Sequence, residues 1–432
     1  MSLFALETKH VSEITPELDR RNGWLYVWTM LLIYFAAPVV YVGVVQAAFC
    51  DKLGASATIS NLPSATYFLG YVFPFFCSWL FSSRREKAVP QTAFLIVAAS
   101  MLFVCVVTFL PFPSWLRITV VIGQGVIIGI VNSVNSVYTL RCLGRGTTAL
   151  GRARALKYAF GLGPIAAVLG SLAAQAVLDD KIPGLRYPYT FGTLYLVALP
   201  CMFMCSVLTS RYQLLAVPET RNPPFFRYFA ESVRSFGRDR RLVLTWLGYF
   251  CWYFTINSMT NISLYTREAV GRAPLELAGL IMAIRFGSKA LAGFGLGTMA
   301  SRYGERVTMI TTVVLAGAAI IWPFLASGYG YLFAFGLMGA GELGGVYFLA
   351  YILSISAPAS ATRNLALLGL VGPFSSIAPV IYGGLTDRFG FHASFLFGVV
   401  MSGLSLALLL KIKRQRIDPS AAGVRGPGED AG

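Results

Sequence analysis

The chain has 432 residues, 56% of them hydrophobic and 12% charged, with 35 lysines and arginines against 19 acids. Soluble domains carry about 25% charged residues, so an ordinary soluble domain is excluded and a bilayer is the expected solvent. The formal charge of +16 comes from cations scattered along the chain, not gathered into the single patch that a nucleic-acid surface requires.

The N-terminal stretch "ETKHVSEITPELDRR" (7–21) mixes both signs of charge and lacks the short basic region of a cleaved signal peptide. Residues 1–23 therefore read as a cytoplasmic tail ahead of a retained first helix. Twelve apolar tracts follow, each of about the length a helix needs to cross a bilayer. In the first half they are 24–48, 61–82, 91–111, 115–138, 154–177 and 188–209; in the second, 242–265, 275–299, 308–326, 330–353, 364–385 and 393–411. The strict alternation of a membrane barrel is absent. Between the halves, 210–241 is a basic, Pro-containing linker. Within it, Phe225, Phe226, Phe229 and Val233 would form one face of a short interfacial helix. Residues 412–432 read as a disordered cytoplasmic tail.

With both termini placed in the cytoplasm, 26 of the 35 cations fall on that side and 7 on the other, the asymmetry expected of cytoplasmic loops. The remaining two, Arg285 and Lys289, lie inside the eighth tract. Seven cysteines without a C-x-x-C pair and only two histidines, His10 and His392, indicate neither a disulfide framework nor a metal site. There is no phosphate-binding loop and no arrangement for nucleophilic catalysis, so no cofactor is expected and the chain does not read as an enzyme.

The chain repeats at half length. Residues 53–87 align with 271–305 at an offset of 218, and "GLGP" (161–164) corresponds to "LVGP" (370–373). Two parallel six-helix halves, 24–209 and 242–411, form a transporter architecture. "GTMASRYGERV" (297–307) resembles the loop between helices 8 and 9 of the major facilitator superfamily, through Gly297, Ser301, Arg302, Gly304 and Arg306. The first-half copy, "WLFSSRREKAV" (79–89), is degenerate: Trp79 and Glu86 replace its glycines, while Arg84, Arg85 and Lys87 keep its basic character. "DKLGASATISNLPSATYFLGY" (51–71) and "GGLTDRFGFHASF" (383–395) resemble further turns of that superfamily. The resemblance implies an all-α membrane fold of twelve helices in two pseudo-symmetric bundles. It also implies that Arg84, Arg85 and the 297–306 motif steady a state closed on the cytoplasmic side. Val121 stands where proton-coupled drug exporters of the superfamily carry an Arg, and Ala167-Val168 replace the glycine pair of their helix-5 motif. Both departures weigh against drug export.

Arg285 and Lys289 are one helical turn apart near mid-membrane. A cation at the centre of a membrane helix costs on the order of 3 kcal/mol and normally faces the protein interior or a wet cavity. Glu342, flanked by Gly339, Gly341, Gly344 and Gly345, is the one clear acid at similar depth. The functional reading makes Arg285 and Lys289 an anion-binding site and Glu342 a proton carrier; the alternative is an ion pair that only fixes two helices. Further substrate-binding candidates are Tyr253, Asn257 and Asn261, on one four-residue stripe with Tyr249, together with Asn132, Tyr41 and Tyr67. Each could equally serve a helix interface. Gly163-Pro164 and Gly372-Pro373 are candidate helix bends.

The sequence thus predicts a monomeric secondary transporter of the plasma (inner) membrane, moving a small anionic organic solute, with protons as the driving ion and lipid as its surroundings. Export of lipophilic or cationic compounds is the alternative within the class. A non-transporting membrane sensor is the alternative outside it.

Overall fold

The computed structural model describes residues 10–40, 44–55, 59, 62–63, 66–81, 85–178, 182, 184–217, 223–272, 277–375 and 377–412. Tyr41, Arg84 and most of the C-terminal tail lie outside them.

The first helix, α1 (Pro16–Phe35), begins earlier than hydropathy alone suggests. Thr15 caps it by accepting a bond from the Leu18 amide, Pro16 occupies its first turn, and Glu17 and Asp19 face its positive end, all favourable N-terminal devices. The tract predicted over 24–48 is not one helix: α1 is followed by α2 (Ala37–Val40) and α3 (Val44–Lys52). The second tract passes from a 3₁₀ turn (Phe68–Val72) into α4 (Phe73–Leu80), with Pro74 at its start. Four continuous helices complete the first half: α5 (Ala88–Phe109), α6 (Ser114–Gly146), α7 (Ala149–Leu178) and α8 (Tyr189–Ser210).

The linker forms α9 (Phe225–Arg238). The second half then runs through α10 (Arg240–Asn257), α11 (Met259–Val270), α12 (Ala278–Tyr303) and α13 (Glu305–Ile321). It continues with α14 (Phe333–Gly341), α15 (Gly344–Ile355), α16 (Ala361–Gly369) and α17 (Val371–Ser375). The last helix, α18 (Ala378–Leu410), is two helices joined at Gly390, whose φ of 80° is not helical. The turn expected over 383–395 is therefore a single-residue break.

Among the described residues, seven spans are long and apolar enough to cross a membrane. The other predicted crossings are interrupted at Ala36, the 3₁₀ turn, Ser258 and Leu370, or carry the Arg285–Lys289 charges. Of the proposed bends, Pro164 lies inside a continuous α7, while Gly372-Pro373 follows directly on the break between α16 and α17.

His10–Val11 pair in parallel with Leu214–Leu215. Asn22 Nδ2 donates to the carbonyls of Gly146 and Gln213, each at 2.8 Å, and the Thr148 amide donates to Asp19 at 2.6 Å. One end of the bundle, the terminal end, thus gathers the N-terminal segment, the α6–α7 turn and the linker. One apolar cluster unites the two halves near this end, with Tyr26, Tyr138, Leu156 and Phe160 from the first and Leu296, Ala300, Tyr347 and Leu365 from the second. Toward the opposite end the cores separate. One contains Phe49, Phe94, Val121 and Phe191; the other contains Ile262, Ile281, Tyr331 and Phe395. Among the described residues, each of these two clusters belongs to one half alone.

Candidate functional site

Glu342 sits where the tenth crossing breaks, between Gly341 at the end of α14 and Gly344 at the start of α15. Glycine weakens a helix interior, and here it also admits neighbours. Trp252 lies against Gly344 and Gly345, and its Nε1 donates to the Gly341 carbonyl at 3.3 Å. On the other side Gly336 and Gly339 leave room for Ser288 and the Arg285 backbone, which brings α12 close to α14. Arg285 Nε donates to Glu342 Oε1 at 2.9 Å and its Nη2 donates to the same oxygen, while Lys289 Nζ reaches Oε2 at 3.0 Å. One carboxylate holds two cations, and the group keeps a surplus positive charge. The Arg285 side chain is 25% exposed, Lys289 14% and Glu342 11%. The arginine is the most accessible of the three.

A second set of predicted residues comes together across the two halves. Asn132 Nδ2 donates to the Tyr67 hydroxyl. The Tyr67 and Tyr71 rings are 6.1 Å apart, the Tyr253 hydroxyl lies beside that of Tyr71, and the Tyr249 and Tyr253 rings meet edge-on at 4.9 Å. This string of hydroxyls links α6 and the second crossing to α10. Trp252, whose ring centroid lies 5.2 Å from that of Tyr253, stands between it and the Glu342 break.

Two members of the predicted stripe do not join it. Asn257 Nδ2 donates to the Tyr253 carbonyl of its own helix at 2.8 Å. The helix then breaks at Ser258, so the four-residue spacing stops defining one face. Asn261, 4% exposed, gives its amide to the Tyr382 carbonyl, Thr386 and Ser394, and ties α11 to α18.

The predicted closing motif is built differently from its sequence outline. Gly297 and Gly293 lie where α12 crosses α7, packed on Lys157 and the Phe160 carbonyl. Gly304, with φ of 81°, turns the chain from α12 into α13. Arg306 Nη2 donates to the carbonyls of Leu409 and Leu410. The Ser301 hydroxyl bonds back to Thr298 of its own helix, and Ser301, Arg302 and Arg85 are exposed. The bridging is done by residues that sequence reasoning passed over. Arg152 of α7 meets Glu305 of α13 at 2.6 Å. Glu86, 5% exposed, accepts from Arg145 Nη1 at 2.6 Å and Arg141 Nε at 3.4 Å, and from the Thr362 hydroxyl of the other half. Arg141 also donates to the Pro358 carbonyl. Glu86 and Glu305 fall within one residue of the 218-residue repeat. That coincidence was the signal available in the sequence.

No family model matches the sequence. Among solved structures, the chain is similar to a Major Facilitator Superfamily transporter, FucP, in the outward conformation: TM-score 0.73 at 14% identity, over 90% of this chain and 97% of that one. The chain has the major facilitator fold. It is also similar to a bacterial homologue of the iron transporter ferroportin in an outward-facing state, with TM-score 0.64 at 13% identity, over 90% of this chain and 98% of that one. A third likeness is to the human organic anion transporter MFSD10 (TETRAN), with TM-score 0.59 at 14% identity, over 92% and 99% of the two chains. These identities carry the twelve-helix membrane fold and not a substrate.

Proposed function

We propose that the protein is a secondary transporter that carries a small organic anion across the membrane by alternating access, with protons coupled through Glu342. The observation that carries this reading is the Arg285–Lys289–Glu342 group, in which two bases share one acid and the arginine is the most exposed member. An intramembrane charge of that kind is costly and is retained for a task. Arg285 spends Nε and Nη2 on Glu342, and its remaining donors suit a carboxylate or phosphate. The tyrosine string from Tyr67 to Tyr253 would flank the solute. With both termini taken as cytoplasmic, the united core and the Glu86 and Glu305 bridges support an outward-open reading in which 24–209 and 242–411 would be the two moving halves. A similar structure is that of an organic anion transporter.

A second reading is favoured by the satisfied state of the trio, which needs no anion to complete Glu342. In that reading the solute is neutral, as for the proton:xylose symporter that this chain also resembles in fold, and the trio serves coupling alone. A thermal-shift screen of the purified protein against organic anions and sugars separates the two, because a ligand of the native state raises the unfolding temperature by mass action. Stabilisation by anions, lost in Arg285→Lys, is the expected result. Stabilisation by sugars alone would transfer the function to the second reading.

A further inference from the structure

Helix α9 presents three faces. Tyr228, Ser232 and Phe236 point into the protein, where the Tyr228 hydroxyl meets Ser78 of α4 at 3.1 Å. Phe226, Phe229 and Val233 are 85%, 43% and 47% exposed. Phe225, expected on that same face, instead stacks on Phe76 at 5.0 Å and packs on Trp79. On the third face lie Arg227, Arg234 and Arg238, all exposed, with one acid, Glu231, bonded to Arg227 at 2.8 Å.

The apolar face does not end at α9. Phe73, Phe76 and Leu80 of α4 are 41%, 42% and 64% exposed, as lipid-facing residues of a crossing should be. The Phe76–Phe225 stack at 5.0 Å carries that surface onto α9, and beneath it the buried Phe75 packs on Phe229 at 5.7 Å. The helix therefore borders the lipid-facing surface of the second crossing, while Ser235 on another side of it accepts from Arg363 at 3.2 Å. A helix with an apolar face in the acyl boundary and arginines beside it has the chemistry of an interfacial element that favours anionic lipid.

We propose that α9 is an anionic-phospholipid site, in which Phe226, Phe229 and Val233 enter the acyl region and Arg227, Arg234 and Arg238 bind lipid headgroup phosphates. The site is part of the bilayer contact and does not depend on what the protein transports. Each arginine near an anionic membrane surface contributes on the order of a fivefold preference, so three contribute on the order of a hundredfold at low ionic strength.

The test is native mass spectrometry of the full-length protein, titrated with phosphatidylglycerol or phosphatidylcholine of the same acyl chains. Wild type should retain phosphatidylglycerol in preference. The triple variant Arg227→Gln, Arg234→Gln, Arg238→Gln should lose most of that preference, and the matching triple Lys variant should keep it. The control Arg154→Gln, Arg302→Gln removes two exposed cations elsewhere at the terminal end and should leave the preference unchanged. Unfolding temperatures establish that each variant is folded. An unchanged preference in the triple Gln variant, an equal loss in the control, or equal retention of both lipids by wild type would overturn the assignment. Binding of a soluble acidic peptide to wild type with no lipid preference would overturn it as well.

Discussion

Lys289 and Arg285, one turn apart on α12, grip opposite oxygens of a single carboxylate: Lys289 Nζ lies 3.0 Å from Glu342 Oε2, and Arg285 Nε lies 2.9 Å from Oε1. The two bases are not equivalent. Lysine is a point charge, whereas the guanidinium is a planar fork that can hold Glu342 along one edge and a second anion along another. Arg285→Lys should therefore keep the expression yield and weaken binding of the proposed anionic substrate by roughly tenfold or more. Arg285→Ala keeps the Lys289 bond and should also fold, with binding weaker still. Titration of both purified variants against an anion found in the screen reads the effect, and unaltered affinity in Arg285→Lys would assign the arginine to structure alone.

Removing the acid has the opposite profile. Glu342→Ala strands two cations in the membrane interior and should cost several kcal/mol, seen as a collapse in yield. Glu342→Gln keeps hydrogen-bond acceptance and should fold. It can no longer take up and release a proton, so uptake driven by a pH gradient should vanish in proteoliposomes. Exchange of substrate for substrate needs no net proton movement and should persist. Loss of both activities together would separate Glu342 from coupling.

The bilayer made most of the fold legible. Apolar length and the placement of Lys and Arg are strong signals because a membrane must satisfy every backbone group within helices. The interruptions at Ala36, Ser258 and Leu370 were hidden, since apolar residues read alike on either side of a break. Arg285, Lys289 and Glu342 stood out because charge in such a tract is conspicuous, and the structure brings them together. Asn257 and Asn261 were misplaced in the stripe because its four-residue spacing assumes one continuous helix. Glu86, Arg145 and Arg152 were overlooked because charges at loop level look ordinary until their partners across the halves are known.

Those loop-level charges should set the conformational equilibrium. Arg152–Glu305 joins the two halves at 2.6 Å, and Glu86 couples Arg141 and Arg145 to Thr362. Leaving a buried hydrogen-bonding group unsatisfied costs at least about 1–3 kcal/mol, enough to move a two-state population by one to two orders of magnitude. Glu305→Gln and Glu86→Gln should each populate a form opened at the terminal end. Spin labels at the exposed positions Arg154 and Arg302, one on each half, should report a longer distance in both variants. A distribution identical to wild type would show that the apolar cluster alone holds the end shut.

Asp239 offers a pH-dependent check at the start of α10. Its carboxylate accepts from the Arg241 amide at 2.9 Å and pairs with the Arg241 guanidinium at 3.1 Å. Partial burial raises its pKa, but the bonds from Arg241 outweigh that and hold it below the usual carboxylate range. A group whose folded pKa is depressed stabilises the protein above its unfolded value, here about 4, and loses that contribution as pH falls through the lower folded value. Asp239→Ala should cost about 1 kcal/mol at pH 7, the usual worth of an N-cap. The difference from wild type should shrink on acidification below pH 4, which thermal unfolding at both pH values would register; a difference independent of pH would remove the carboxylate from the account.

The crossing of α7 and α12 gives the sharpest steric test of closure. A Cβ added at Gly293 would fall inside the van der Waals radius of the Phe160 carbonyl, and a backbone atom cannot rotate aside as a side chain can. The two helices must separate, and they belong to opposite halves. At Gly295, two residues along the same helix, an added Cβ meets nothing within 4 Å. Both substitutions to Ala favour helix by about 1 kcal/mol, so intrinsic propensity cancels between them. Gly293→Ala should then widen the separation of labels at Arg154 and Arg302 and slow turnover, because the terminal end no longer closes. Gly295→Ala should leave both unchanged. The comparison works even without a known substrate, since the label distance alone reads closure. Equal behaviour of the two variants would mean that the halves part elsewhere and that the α7–α12 crossing is no pivot.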